Sequence, residues 1–353
     1  MKKLATLAAL AMFVVAPVLA PAPPASAAPG PGDDVVLLGD SYSSGNGGGD
    51  YTEETCYRSP NTYGALAAKS LGAHATNVAC SGGEVKDLTN PRFLESTWLG
   101  RTFWVPLVRL SPSAPAALRQ LEARSVCPAP PAKDFYYEMT VREPATFFGV
   151  RTGVVDCQLF ARPQANAVSK STDAVVLTIG GNDGGFGRIS SSCIIGRMKN
   201  RCEGAVSDAQ KELGTIEADL KEALREIDAR ATGNADIYLV GYPSLINPGS
   251  YLIPAIGSPK FDAGAALTKL QADYDATQRR VVDELNREKS STRFHFVDVK
   301  KGWGTNSLDP KLLADNSDSW IIGPFYSWDF KEVLHPSKEG YEAMSKALLA
   351  AMK

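Results

Sequence analysis

Residues 35–50 read VVLLGDSYSSGNGGGD. Four apolar residues run into Gly39, Asp40 and Ser41, and the chain then dissolves into a glycine-rich loop. A short continuous apolar run bounded by turn residues reads as a buried strand. Ser41 stands at the carboxyl end of that strand, surrounded by residues that fill no core. It is therefore either a turn residue or a nucleophile held at the mouth of a site.

The same grammar recurs along the chain. Strands are expected at residues 35–39, 76–80, 174–180, 237–241 and 294–299. Helices are expected at 61–71, 205–231, 265–287 and 336–352, the second with Leu213, Ile216, Leu220 and Leu224 near helical spacing. Pro336 suits the first turn of the closing helix. Strands alternating with helices predict an α/β fold, a three-layer α/β/α arrangement around a five-stranded parallel sheet. Ligands of such sheets bind beyond the carboxyl ends of the strands. Ser41, Gly82 and Asn182 follow the first, second and third predicted strands, so three unusual loops converge on one edge.

Residues 91–163 break the alternation and are long for a connection. They carry Phe93, Trp98, Phe103, Trp104, Phe135, Tyr136, Tyr137, Phe147 and Phe148. They read as an insertion over the site, either a lid or acyl-binding wall, or a decorated loop with its own small core. A second segment, 247–263, is rich in Pro, Gly and Ser and is placed beside the same cleft.

The 353-residue chain has a formal net charge of -2, which implies no polyanion-binding surface and no nucleic-acid partner. Its 44% hydrophobic and 22% charged content fits a globular protein. Lys2 and Lys3, an apolar stretch at 4–20 and Ala25-Ser26-Ala27 read as a signal peptide over residues 1–27. Pro17, Pro21, Pro23 and Pro24 argue against a membrane-spanning helix there. Residues 28–353 then form the mature domain, expected to be secreted, extracellular and monomeric. An oxidising compartment agrees with six cysteines, an even number. Six permit about 15 connectivities. Neighbour pairing, Cys56 with Cys80, Cys127 with Cys157 and Cys193 with Cys202, is the simplest. No C-x-x-C pair occurs, which disfavours a zinc ribbon.

A serine hydroxyl needs a base to take its proton and a group to orient that base. The chain offers His74, His295 and His335. His74 falls in a loop and His295 inside a strand. His335 follows a loop and precedes a proline, where its ring can be aimed, so it is the expected general base for Ser41. Ser43 and Ser44 compete as nucleophiles but lie farther from the strand end.

Four segments, GDSYSSG at 39–45, CSGGE at 80–84, IGGND at 179–183 and HPSKEGY at 335–341, resemble in order blocks I, II, III and V of the SGNH hydrolase superfamily, the GDSL-type esterases and lipases. The stretch CYRS and three cysteine pairs are most similar to the secreted actinobacterial lipases and phospholipases of that group. The resemblance implies a flavodoxin-like fold. It implies an oxyanion hole formed by the Ser41 and Gly82 backbone N–H groups and the Asn182 side-chain amide, with Gly83 the neighbouring candidate. The family usually places an aspartate three residues before the histidine. Here Glu332 stands there, with Asp329 three residues earlier; some relatives use a backbone carbonyl instead, so the Glu332 side chain or carbonyl is expected to orient His335, then Asp329, with Asp298 a remote alternative. No cofactor and no metal are expected.

The leading expectation is a serine esterase acting on lipid or phospholipid acyl esters. The alternatives are a carbohydrate O-acetylesterase acting on cell-envelope or plant glycans, and a non-catalytic binding protein on the same scaffold. No G-x-S-x-G elbow or S-x-x-K pair is present, which disfavours the α/β-hydrolase and penicillin-binding types.

Overall fold

The apolar run forms β1 (Asp34–Gly39). Val35 and Leu37 face one core with Tyr63, Ala67 and Tyr341. Val36 and Leu38 face another with Ile216, Leu220 and Leu285. Successive strand residues point to opposite faces, so an unbroken apolar run marks a strand covered on both sides.

The computed structural model describes residues 29–96, 103–106, 126–147, 150–247, 251–254, 257, 259–311 and 314–353. After β1 come α1 (Ser41–Ser44), α2 (Tyr63–Leu71), β2 (His74–Asn77), β3 (Arg92–Ser96), β4 (Phe103–Pro106), β5 (Phe135–Phe147) and β6 (Val150–Ala161). The chain continues through β7 (Ala174–Thr178), α3 (Phe186–Ile189), α4 (Lys199–Arg230), β8 (Asp236–Val240), β9 (Leu252–Ile253) and β10 (Phe261–Asp262). It ends with α5 (Ala263–Lys289), β11 (Phe294–Val297) and α6 (Lys338–Ala351). The expected signal peptide, residues 1–27, lies outside the described residues.

Five strands form one parallel sheet in the order β11-β8-β7-β1-β2. Helices α4 and α5 cover one face through Ile216, Leu220, Val281 and Leu285. Helices α2 and α6 cover the other through Ala67, Tyr341, Met344 and Leu348. This is the expected three-layer α/β/α fold. The chain steps outward from β1 to β2 and then returns to β7 on the other side of β1. Such a reversal opens a crevice beyond the strand ends, and ligands of doubly wound sheets bind there.

Several boundaries differ from the sequence reading, among them β2, which runs from His74 to Asn77 rather than over 76–80 and takes His74 out of its expected loop. Helix α4 starts at Lys199 rather than 205, because Cys202 is already buried and disulfide-bonded. Helix α6 starts at Lys338, capped by the Ser337 side chain, which accepts the Gly340 N–H. Pro336 therefore precedes the cap instead of occupying the first turn.

Among the described residues of 91–163, β3, β4 and β5 all pair with β6 in a separate antiparallel sheet. Phe135, Leu159 and Ala161 bury a small core against Cys56 and Cys80. Trp98 and Phe148 lie outside the described residues. Disulfides join Cys56–Cys80, Cys127–Cys157 and Cys193–Cys202. Each restricts the unfolded chain, typically by about 2–4 kcal/mol. The first ties the end of the glycine-rich loop to the turn that carries Gly82.

Candidate active site

The turn after β1 is built around Gly39. Its φ is +119°, and a Cβ there would lie 2.2 Å from the Thr178 carbonyl oxygen. Only glycine fits that approach. The buried Gln164 amide clamps the same peptide, accepting the Gly39 N–H at 2.6 Å and donating to its carbonyl at 2.9 Å. Asp40 caps the next turn by accepting the Tyr42 N–H at 2.9 Å. Ser41 is thereby held at the first position of α1, and its Oγ lies 2.7 Å from His335 Nε2.

His335 reaches that position through a strained backbone. Leu334, immediately before it, has φ +65°, a left-handed conformation that disfavours a branched side chain. Its carbonyl accepts the Tyr42 hydroxyl at 2.7 Å, so the nucleophile turn and the histidine turn are bonded to each other. The other ring nitrogen, Nδ1, lies 3.1 Å from the Val333 carbonyl. A carbonyl only accepts, so Nδ1 carries the proton and Nε2 presents its lone pair to Ser41. Burial pushes the imidazole pKa down to about 4, against a smaller upward pull from the Val333 and Glu332 backbone.

Neither carboxylate of the sequence reading lies at the ring. Glu332 accepts hydrogen bonds from Tyr51 at 2.6 Å and Ser327 at 2.7 Å. Asp329 accepts from the Tyr57 hydroxyl at 2.9 Å and from the Lys331 N–H at 2.9 Å. Asp298 pairs with Arg279 at 2.9 Å. The Val333 carbonyl, rather than the Glu332 or Asp329 side chain, thus lies at Nδ1, one residue beyond the Glu332 position favoured from the sequence. Sequence spacing places a side chain near a partner but does not say which way it turns. Ser43 is taken up by Tyr63 at 2.8 Å and by the Thr178 N–H at 2.8 Å, and Ser44 by Asn46 at 3.1 Å. His295 pairs with Asp236 at 3.0 Å, and His74 is exposed on β2.

Gly82 sits at φ +76°, and a Cβ there would meet Arg92 Nη2 at 2.9 Å. The neighbouring Gly83 spends its N–H on the Cys80 carbonyl at 2.9 Å. Among the described residues, the Ser41 and Gly82 N–H groups donate to no protein acceptor. Asn182 Nδ2 donates to the Gly83 carbonyl at 2.8 Å, which leaves its second N–H free of that bond. Two further residues, which sequence reasoning missed, join these loops. Asp183 accepts the Val85 N–H at 3.1 Å, and burial pushes its carboxyl up to about 6. The Tyr242 hydroxyl accepts the Gly181 N–H at 2.8 Å and donates to Asp40. Burial pushes Asp40 up to about 7 despite those bonds. Tyr242 follows β8, so the rule that sites form beyond strand ends was the signal that pointed to it.

A family model described as GDSL-like Lipase/Acylhydrolase matches residues 35–348. The chain belongs to that family. It is a carboxylic ester hydrolase. A lipase of Streptomyces rimosus is 26% identical over 253 residues, 68% of this chain and 67% of the relative. Lipase 2 of Streptomyces coelicolor is 26% identical over 331 residues, 88% of this chain and 87% of the relative. The fold is similar to the crystal structure of the extracellular lipase of S. rimosus, with a TM-score of 0.57 at 22% identity over 90% of this chain and 99% of that one. It is also similar to phospholipase A1 of Streptomyces albidoflavus, with a TM-score of 0.56 at 18% identity over 91% of this chain and 99% of that one.

This GDSL-family hydrolase opens an apolar cavity of about 120 Å³ lined by Tyr42 and Gly181, the chain neighbours of Ser41 and Asn182. Tyr42, Gly181 and Tyr242 stand at the catalytic side, and Phe186, Leu213 and Ile216 continue the lining between α3 and α4. No lining residue comes from 91–163 among the described residues. The described cavity is lined instead by α4, α5 and the loops after β7 and β8. Helices α4 and α5 reach the cavity through Leu213, Ile216, Leu270 and Tyr274, whereas Phe135, Leu159 and Ala161 of the insertion pack beside the Cys56–Cys80 bridge.

Proposed function

We propose that the protein is a secreted, monomeric serine esterase that cleaves acyl esters of lipids through an acyl-enzyme on Ser41. The observation that carries the lipid reading is the apolar cavity, which is lined by Tyr42, the residue after the nucleophile, and offers few polar partners to a sugar. His335 Nε2 takes the Ser41 proton as Oγ attacks the ester carbonyl. The tetrahedral oxyanion is met by the Ser41 and Gly82 N–H groups and by the Asn182 amide. His335 then returns the proton to the leaving alcohol, and a water molecule repeats the cycle to release the acid. The Val333 carbonyl fixes the ring tautomer that this sequence requires. It brings no negative charge, so the imidazolium is balanced by the oxyanion it helps to create. Three disulfides, the leader-like residues 1–27 and an extracellular relative support export.

A chain-length series of nitrophenyl esters, together with phosphatidylcholine, tests the substrate class. The expected result is kcat/KM rising from acetyl to medium chains and release of fatty acid from the phospholipid. Activity confined to acetyl esters, of nitrophenol or of glycans, would end the lipid reading.

Two further results are expected. Glu332→Gln and Asp329→Asn should each leave kcat within about threefold, because neither carboxylate touches the ring. Each should lower stability by about 1 kcal/mol through the loop bond it weakens. A fall in kcat beyond a hundredfold for either variant would restore a carboxylate to the mechanism. The pH dependence follows from the buried ring. The neutral imidazole is the active form, so kcat/KM should hold on acidification and drop only as pH falls through about 4. A step near pH 7 would belong to Asp40 and should vanish in Asp40→Asn. An acid limb near pH 6.5 that survives Asp40→Asn would contradict a desolvated base.

A further inference from the structure

The loop from Gly323 to His335 is built inside out. Its polar side chains turn inward and brace it. The Ser327 hydroxyl accepts the Asp329 N–H at 3.0 Å and donates to Glu332 at 2.7 Å, Asp329 Oδ1 accepts the Lys331 N–H at 2.9 Å, and Tyr51 and Tyr57 bond the two carboxylates. Its aromatic side chains turn outward. Phe325 and Phe330 are 85% and 84% exposed, and Trp328 is fully exposed. A soluble surface ordinarily shows the reverse arrangement.

A second ridge stands beside this loop. Ile195 and Met198 are exposed on the segment clipped by Cys193–Cys202. Ile195, Arg197, Phe325 and Tyr326 line one shared cleft. Six of the eight large apolar side chains exposed among the described residues lie on these two segments, the others being Phe93 and Leu252. Both ridges are continuous with the catalytic centre. The aromatic loop ends on His335, and Asn46 of the glycine-rich loop holds it by donating to the Lys331 carbonyl at 2.8 Å. The other ridge continues from Phe186 and Ile189, which line the acyl cavity, and the Phe186 ring lies edge-on to His335 at 6.0 Å.

We propose that these two ridges dock the protein on the surface of a lipid aggregate, setting the catalytic cleft against zwitterionic head groups. Tryptophan and tyrosine favour that boundary, because their rings seat among head groups while the N–H or O–H edge remains wet, and the phenylalanines add apolar area beside them. Ile195 and Met198 fit acyl chains and head-group carbons rather than sugar rings, which stack on flat aromatic faces. The charges in and near the cleft, Arg197, Lys311, Lys331, Asp309 and Asp329, are mixed in sign and single out no strongly anionic surface. Rigid bracing matters, since a preordered loop loses little conformational freedom on docking.

The proposal rests on the lipid reading above, and one set of measurements separates the two. Ser41→Ala protein is sedimented with phosphatidylcholine vesicles, alone and with Trp328→Ser/Phe330→Ser added. The expected result is vesicle binding that weakens at least tenfold in the triple variant. With Ser41 intact, Trp328→Ser/Phe330→Ser should hydrolyse a water-soluble acetyl ester within about twofold of the parent rate, showing a folded site. Equal vesicle binding with and without the aromatic pair overturns the docking proposal, even if lipid esters are still hydrolysed. So does binding to insoluble xylan or chitin, lost with the pair, in protein that ignores vesicles. Loop-dependent vesicle binding without release of fatty acid upholds the docking surface and removes the lipid substrate instead.

Discussion

His335→Ala should lower kcat on a nitrophenyl ester by on the order of 10⁴- to 10⁶-fold, with Ser41→Ala alike. The ring is the one basic group within reach of Ser41 Oγ among the described residues, at 2.7 Å. Without it the hydroxyl keeps its proton, and attack on an ester carbonyl loses its general base. The double variant should be no slower than either single variant, because the pair acts as one unit. A fluorophosphonate probe should label the parent and neither variant. The fold should survive, since His335 is buried as a neutral group and its loss leaves no buried charge without a partner. Circular dichroism checks that point. Turnover within tenfold of the parent in His335→Ala would place the base elsewhere and dissolve the mechanism.

The carbonyl at Val333 changes what else to expect from this centre. In a serine–histidine–aspartate arrangement the carboxylate both orients the ring and stabilises its charge. Here only orientation is supplied, and the strained φ of Leu334 helps to aim it. Two carboxylates stood at plausible spacing, yet the fold commits both to the loop that carries Phe325, Trp328 and Phe330. The chain thus spends its negative charge on a rigid exposed loop rather than on the base.

The parts that were legible in the sequence share a cause. Strand periodicity fixes β1, β7, β8 and β11, because burial on both faces permits few polar residues. Strand ends then place Ser41 and Asn182 just beyond β1 and β7, whereas β2 ends at Asn77 instead of residue 80 and leaves Gly82 farther along its loop. What stayed hidden depends on direction. Gln164 lies 125 residues from Gly39 in sequence, and nothing local marks its amide as a clamp. The choice between Gly82 and Gly83 rests on which N–H a turn consumes, a property of one hydrogen bond to Cys80. An apolar wall was sought in the aromatic insertion because aromatic residues are conspicuous, whereas the cavity lined by Tyr42 and Gly181 escaped notice. It lies instead between ordinary helices whose Leu213 and Ile216 look like any core positions.

Asn182→Ala should reduce kcat by about 10²- to 10³-fold, equivalent to roughly 3–4 kcal/mol of transition-state stabilisation. The donor is useful because it is fixed before the reaction starts. Asn182 Nδ2 bonds the Gly83 carbonyl at 2.8 Å, which holds the amide plane in one orientation and leaves its other N–H for the oxyanion. The ground-state ester makes weaker demands on that N–H, so KM should move little while kcat falls. Asn182→Asp sharpens the test. A carboxylate is nearly isosteric but only accepts, so it would repel both the Gly83 carbonyl and the developing oxyanion. It should therefore be at least as slow as alanine, whereas a merely structural asparagine would tolerate the near-isosteric change better than truncation. Asp183→Asn supplies the contrast, because Asp183 braces the Val85 N–H at 3.1 Å and points no donor at substrate. Its loss should loosen the second loop and cost activity well short of the Asn182 effect. Equal kcat losses in Asn182→Ala and Asp183→Asn would mean that both residues act only through the position of Gly82, and the oxyanion hole would then consist of backbone donors alone.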